Sequence, residues 1–160
     1  MSGFANGSLP DEELLLRRFN RHNPDHCATI DQGTQSIRLT SGCLSWDREP
    51  EDVSMKALVF GISVYRDAVL HQLGLAREAI LEPPRFVGIG GLTARDARAA
   101  GDVGSPNPVD VIADPQPSQG TGRDHNAAHA LITVPGETSR NQRRKLASRI
   151  AGRLSILVGA

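Results

Sequence analysis

The chain has 160 residues, 39% of them apolar and 22% charged, which excludes a disordered or fibrous chain and fits one domain of ordinary size. Eighteen basic and eighteen acidic residues cancel, so no global field draws the chain toward nucleic acid or an anionic membrane. With 16 glycines, 10 prolines and only 4% aromatic residues, the core must rest on Leu, Val, Ile and Ala, and much of the backbone is turn or loop.

Met1 to Pro10 is small and polar and reads as a disordered lead. It has neither the basic nor the apolar region of a secretory signal, and no apolar run approaches the roughly 18 to 20 residues of a membrane helix. A cytoplasmic protein without membrane contact is expected, with Cys27 and Cys43 as reduced thiols. Asp11-Glu12-Glu13 before Leu14 to Phe19 can open a helix, because carboxylates favour its positive end, or the apolar run can be a first strand. Asn23-Pro24-Asp25 signals a turn, Ser36 to Thr40 alternates like a short half-buried strand, and Asp47 to Asp52 is a charged loop.

From Val53 to Val64 a buried strand competes with the start of a helix expected over Tyr65 to Leu81, which Pro83-Pro84 ends. Gly74 weakens that helix by about 1 kcal/mol relative to Ala, so a break at Leu73-Gly74-Leu75 is expected. Arg85 to Ile89 reads as a strand, and Thr93 caps a helix over Ala94 to Ala100 with Gly101 beyond its end. Val109 to Ile112 is a short strand, residues 113–124 form a mobile loop, and Ala128 to Val134 is another apolar strand. Ser139-x-x-Gln142 is a capping box before a last helix, Arg140 to Leu154, with Leu146, Ile150 and Leu154 on one stripe. Strands and helices alternate without a βαβ period. The expected fold is therefore a single compact α+β domain over residues 11–158, with a mixed or antiparallel sheet and about three packed helices.

His22-x-x-x-His26-Cys27 and His125-x-x-x-His129 hold metal-ligand residue types, imidazole and thiolate, suited to zinc. Pro24 interrupts the first pair and His129 leads into a strand, so neither pair has dependable helical spacing. The general-base Glu of a metalloprotease motif is also missing. No metal and no cofactor are expected. The cluster Gly88-x-Gly90-Gly91-x-Thr93 follows a strand and precedes a helix, as phosphate binding requires. However, Thr93 stands where the dinucleotide fingerprint needs Gly, and there is no P-loop lysine, so a glycine-rich strand-to-helix turn is expected. Cys27 lacks a visible oxyanion donor, and Ser41 and Ser45 lack a nucleophile-elbow sequence. His129, at the start of an apolar strand, must find a backbone carbonyl or a carboxylate such as Asp124 or Asp114, because a buried imidazole without partners is costly.

Charge is segregated at the end of the chain. Arg140, Arg143, Arg144, Lys145, Arg149 and Arg153 crowd the last helix, and no acidic residue follows Ser139. Such a helix can neutralise an acidic surface of its own domain or dock an acidic partner protein. Nucleic acid is possible through sequence-independent phosphate contact, since no aromatics interleave the cations.

Several segments together resemble a family of short uncharacterised bacterial proteins. They are Leu15 to His22 with Pro24-Asp25, Arg38 to Leu44, Val53-Ser54-Met55, Leu70-x-x-Leu73-Gly74-Leu75, Gly91 to Gly101 and Ala128-His129-Ala130-Leu131-Ile132. The resemblance runs from about Leu15 to Leu154. In that family the second segment usually reads Arg-x-Ser-Ser-x-x-Phe, where Gly42 and Leu44 stand here, and the stretch from Gly101 to Arg123 is extended. The resemblance implies bacterial origin, one compact domain and gene neighbourhoods that include conflict and defence modules, but no reaction.

The favoured expectation is a non-catalytic accessory or interaction module that docks an acidic partner protein through the basic helix. The alternative is an enzyme acting on a nucleotide or nucleic acid, with Arg17, Arg18, His22, Ser41 and His129 as its polar groups.

Overall fold

A computed structural model describes residues 8–19, 28–30, 37–39, 44, 46, 48, 50, 58–82, 88–102, 108–117 and 124–158. Its strands are β1 (Leu14–Phe19), β2 (Ala28–Ile30), β3 (Ile37–Leu39), β4 (Val59–Arg66), β5 (Gly88–Thr93), β6 (Asp110–Ala113), β7 (His129–Pro135) and β8 (Ser155–Val158). Its helices are α1 (Asp67–Gln72), α2 (Ala94–Asp102) and α3 (Arg140–Ala151), with 3₁₀ turns at Arg77–Leu81 and Asp124–Ala128. Among the described residues, six strands form one sheet in the order β6-β7-β4-β1-β5-β8, and β2 pairs with β3 in a separate ribbon. Every neighbour in the large sheet is antiparallel. The expected α+β domain is therefore present, and its sheet is antiparallel.

Both faces of the sheet are covered. On one, α2 and α3 pack Ala97, Leu146 and Ile150 over Leu15, Phe19, Ile62, Val64, Leu92, Val111 and Ile132. On the other, Leu16, Tyr65, Ile89 and Ala128 meet Leu70 of α1 and Ile80 and Leu81 of the first 3₁₀ turn. Leu15 and Phe19 are buried on one face and Leu16 on the other, so Leu14 to Phe19 forms β1, a strand covered on both sides, rather than a helix.

Several element limits differ from expectation. The β-branched and aromatic run Val59 to Tyr65 holds β4 in the strand conformation through Arg66, so the expected helix from Tyr65 starts later, at Asp67. It ends at the expected break: Gly74 takes a φ of 73°, a left-handed conformation that glycine adopts without penalty, and a 3₁₀ turn follows. Arg77 binds Asp67 through two bonds of 2.8 and 3.1 Å across this break, and that hydrogen-bonded carboxylate raises the guanidinium pKa. The glycine cluster is not a strand-to-helix turn. Gly88, Gly90 and Gly91 lie within β5, paired to β1 on one side, while Gly90 and Gly91 also pair to β8 on the other, so the run is ladder rather than phosphate cradle. A Cβ at Gly91 would come within 2.5 Å of the Leu157 Cδ1 methyl. The last helix stops at Ala151 rather than Leu154, and Ser155–Val158 forms the edge strand β8, an element not expected from the sequence. No helix among the described residues is long and apolar enough to cross a membrane.

The chain is docked from Ser8 onward, within the stretch expected as a disordered lead. Leu9 is buried and its N–H donates to the Val111 carbonyl at 2.8 Å. Arg98 of α2 holds this segment by donating to the Leu9 carbonyl, to Asp11 at 2.6 Å and to Asp110 at 3.1 Å. Likewise, Ala113 closes β6 and Asp114 is buried, so the described start of the expected 113–124 loop is fixed in place.

Thr93 caps α2 as expected, with the Asp96 N–H donating to its hydroxyl at 3.2 Å, but Gly101 lies inside the helix. Helix propensity alone predicts a gain of about 1 kcal/mol for Gly101→Ala. Packing predicts the reverse sign, because a Cβ there would lie 2.9 Å from the Val109 backbone nitrogen and 2.8 Å from its Cγ2. Gly101→Ala is expected to lower unfolding free energy by about 1 to 3 kcal/mol in urea titrations; a stabilised variant would refute this close contact.

Candidate functional site

β4 and β7 pair over seven residues, from Val59↔Pro135 to Tyr65↔His129. Side chains alternate along a strand, so Ser63 and Tyr65 of β4 share a face with His129 and Leu131 of β7. On that face Ser63 is the diagonal neighbour of His129, and its Oγ lies 2.6 Å from His129 Nε2. The other ring nitrogen, Nδ1, faces the Asp114 carboxylate at 3.0 Å and the Asp114 carbonyl at 2.9 Å. Asp114 reaches this place because it extends β6 by one position, its N–H donating to the His129 carbonyl at 3.0 Å.

The pattern fixes the ring's tautomer. Nδ1 faces two acceptors and therefore carries the proton, which it donates to Asp114. In the neutral ring Nε2 is then an acceptor, and the Ser63 hydroxyl donates to it. His129 is 1% exposed and Asp114 4%, whereas Ser63 is half-buried, so the relay runs from a buried carboxylate outward to a hydroxyl. Tyr65 lies beside it, with the rings of His125 and His129 each edge-on at 5.6 Å. The Arg18 guanidinium sits 5.3 Å from the Tyr65 ring centroid. Arg18 also donates to the Ile80 carbonyl at 2.9 Å and pairs with Glu82, whose φ of 46° is left-handed.

Ser63 occupies the point where β4 changes partner. β1 pairs with β4 only at Leu15↔Arg66 and Leu16↔Tyr65, although it continues beside β5 as far as Phe19↔Gly88. At Gly61, β4 is met instead by Arg48, whose N–H donates to the Gly61 carbonyl at 3.0 Å. Between these contacts the Ser63 carbonyl accepts a bond from the Arg17 side chain, Nη1 at 2.7 Å, rather than from a neighbouring strand. The central strand is thus parted from β1 at Ser63.

Of the residues singled out in the sequence, Arg18 and His129 are both brought to the Tyr65 ring, and Asp114, not the exposed Asp124, is the carboxylate that holds His129. His22, His26, Cys27, Ser41, Cys43 and Ser45 lie outside the described residues. Both His129 nitrogens are already bonded, so neither offers a metal its lone pair in this arrangement. Among the described residues no group of three His, Cys, Asp or Glu side chains can hold a metal. Sequence reasoning missed Ser63; its signal was a lone serine inside the mostly apolar run Val59 to Tyr65.

The basic helix divides into two populations. Arg143 donates to the Thr138 carbonyl at 2.6 Å and covers the Phe60 ring at 3.9 Å, Arg149 donates to the Ala100 carbonyl at 3.3 Å, and Arg153 pairs with Asp96 at 3.4 Å. Arg140, Arg144 and Lys145 are exposed and form no ion pair among the described residues.

Searches of protein-family models, curated proteins and solved structures returned no match to this chain.

Removing the imidazole would take a hydrogen-bond donor from the buried Asp114 carboxylate, whereas removing the half-buried hydroxyl would not. His129→Ala is therefore expected to cost about 2 to 4 kcal/mol and Ser63→Ala less than about 1, measured by urea unfolding. Equal losses would mean that Asp114 does not depend on His129.

Proposed function

We propose that the domain is an enzyme working by nucleophilic catalysis, with Ser63 as nucleophile, His129 as general base and then acid, and Asp114 as the group that orients the ring. The observation that carries this reading is the 2.6 Å contact from Ser63 Oγ to a His129 whose opposite nitrogen is held by a buried carboxylate. A weak nucleophile needs an adjacent base, and the base needs a third group to fix its tautomer; the three side chains stand in that order. As Oγ attacks, its proton passes to Nε2. The ring later returns it to the departing oxygen or nitrogen, and water repeats the sequence to free Ser63.

A fluorophosphonate probe with intact-mass detection tests the reading. The full chain should gain one adduct, mapped to Ser63 and absent from Ser63→Ala. Asp114→Asn, which favours the wrong tautomer, should slow labelling by about 100-fold or more. A folded chain that takes no label, or takes it equally without Ser63, would overturn it.

A second reading rests on the exposed side chains of α3. Arg140, Arg144 and Lys145 stand in its first two turns, where the helix dipole opposes positive charge and no acidic residue compensates. They suit an interaction module in a bacterial cytoplasm, docked on an acidic protein. Changing all three to Glu should abolish co-purification of that partner without shifting the melting temperature. Loss of nucleic-acid binding instead would identify a polyanion as the occupant.

A further inference from the structure

We infer that the substrate at Ser63 is a carboxylic ester or amide whose acyl part carries a second, anionic group, and that Arg48 binds that group. The inference rests on the nucleophilic reading of Ser63 and adds to it the chemical class of the substrate.

On the edge of β4 away from β7, Ser63 lies between two neighbours. Toward one end β1 pairs at Leu16↔Tyr65; toward the other the backbone of Arg48 is bridged to Gly61, its N–H on the Gly61 carbonyl at 3.0 Å. Residues directly opposite each other in an antiparallel pair share a face. Gly61, Ser63 and Tyr65 alternate onto the face that carries His129, so the Arg48 side chain leaves on the side of the Ser63 Oγ. The surroundings of Gly61 agree. A Cβ there would meet the Arg48 carbonyl oxygen at 2.9 Å and two Leu131 methyls at 3.2 Å, and Leu131 is the residue opposite Ser63. Arg48 is therefore a diagonal cross-strand neighbour of Ser63, a separation that a long side chain spans.

Arg48 is exposed and forms no ion pair among the described residues. Arg18 leaves on the same face but pairs with Glu82 and donates to the Ile80 carbonyl at 2.9 Å. The Asp114 carboxylate is 4% exposed and faces Nδ1, on the side of the ring away from Ser63. A guanidinium one diagonal step from the nucleophile is placed to hold a part of the substrate several atoms from the reacting carbon, and its planar fork matches a carboxylate with two parallel bonds. Such a remote contact orients the substrate for attack without touching the bonds that change. In the reaction the Oγ bonds to the carbonyl carbon as its proton passes to His129 Nε2. The bond to the leaving oxygen or nitrogen breaks, and that atom takes the proton. Water then gives a proton to Nε2 as its oxygen bonds to the acyl carbon; the bond from Oγ to carbon breaks and Ser63 recovers the proton. An anion in the acyl part stays on Arg48 through both halves.

The test compares two chromogenic esters of equal acyl length on the full chain, mono-p-nitrophenyl adipate, which ends in a carboxylate, and the neutral p-nitrophenyl hexanoate, with Ser63→Ala as the background. The adipate should be the better substrate. Arg48→Ala should lose about 10-fold or more of kcat/KM for the adipate, chiefly through KM, and less than about threefold for the hexanoate. Arg48→Lys should keep part of the adipate preference and Arg48→Glu should reverse it, a pattern that a side chain bracing the strand would not produce. Equal losses on both esters, or a Ser63-dependent preference for the hexanoate in the unaltered chain, would overturn the inference and leave the nucleophilic reading standing. Absence of Ser63-dependent turnover of either ester would remove both.

Discussion

The antiparallel register between β4 and β7 is the constraint on which the site depends. Seven consecutive pairs put Tyr65 opposite His129 and place Ser63 one diagonal away. A slip of one residue would carry Ser63 and Tyr65 to the face covered by α2 and α3 and bring Ile62 and Val64 to the other, exchanging polar for apolar across both layers. The register is therefore held by the hydrophobic demand of the larger core, where Ile62, Val64, Ala130 and Ile132 are buried beneath Leu146 and Ile150. The polar groups follow as its consequence. Gly61 adds a second constraint, since a Cβ there would lie 2.9 Å from the Arg48 carbonyl oxygen. The bare backbone lets the chain near Arg48 replace β1 beside β4, and the partner change that isolates Ser63 follows from it.

The two faces are covered unequally. Opposite the layer of α2 and the 12-residue α3, the second face carries the six-residue α1 and two five-residue 3₁₀ turns. A short helix contributes few apolar side chains, and here one residue, Leu70, is the fully covered one of α1. The thin layer leaves room for polar groups, which it satisfies in pairs. Asn126 donates to the Pro117 carbonyl at 2.9 Å and its own carbonyl accepts from the Gln116 N–H at 2.9 Å, which ties the segment after Asp114 to the turn before His129. The carboxylate and the imidazole are thus positioned by backbone bonds on both sides as well as by each other, a preorganised arrangement in which little side-chain freedom remains to be lost.

Legibility in the sequence followed the range of the interactions involved. The α+β class, the Ser139 and Thr93 caps, the break at Gly74 and the strand beginning near His129 were readable because each rests on neighbours within a few residues. The need of His129 for a backbone carbonyl or a carboxylate was readable from its apolar neighbours, and Asp114, one of the two carboxylates named, supplies both. What could not be read depends on contacts far apart in the chain. Gly88, Gly90 and Gly91 resemble a loop until their pairing to β1, and that of Gly90 and Gly91 to β8, is seen, with Leu14 and Leu157 near the space a side chain at Gly91 would fill. β8 is only four residues long and needs β5 to exist. Ser63 carries no local motif, and its role depends on a register with residues 66 positions away. The basic run of the last helix showed the opposite limit: six cations look alike in sequence, yet carbonyls, a ring and a carboxylate occupy half of them.

Stability alone does not account for the trio of Ser63, His129 and Asp114. A carboxylate and an imidazole inside a sheet lose hydration that their mutual bonds return only in part, and an apolar set of matching shape at the same positions would be neutral or better. The neighbouring positions show that the fold accepts such sets, since Ile62 with Ile132 and Val64 with Ala130 fill the opposite face of the same two strands with no polar atom. Register specification does not require the trio either, because those apolar pairs already penalise a slip. A buried polar chain that ends on a half-buried hydroxyl, at the one place where the central strand parts from its neighbour, costs stability the fold could have kept. That local cost without local structural return is the physical ground for proposing a chemical role for Ser63, His129 and Asp114.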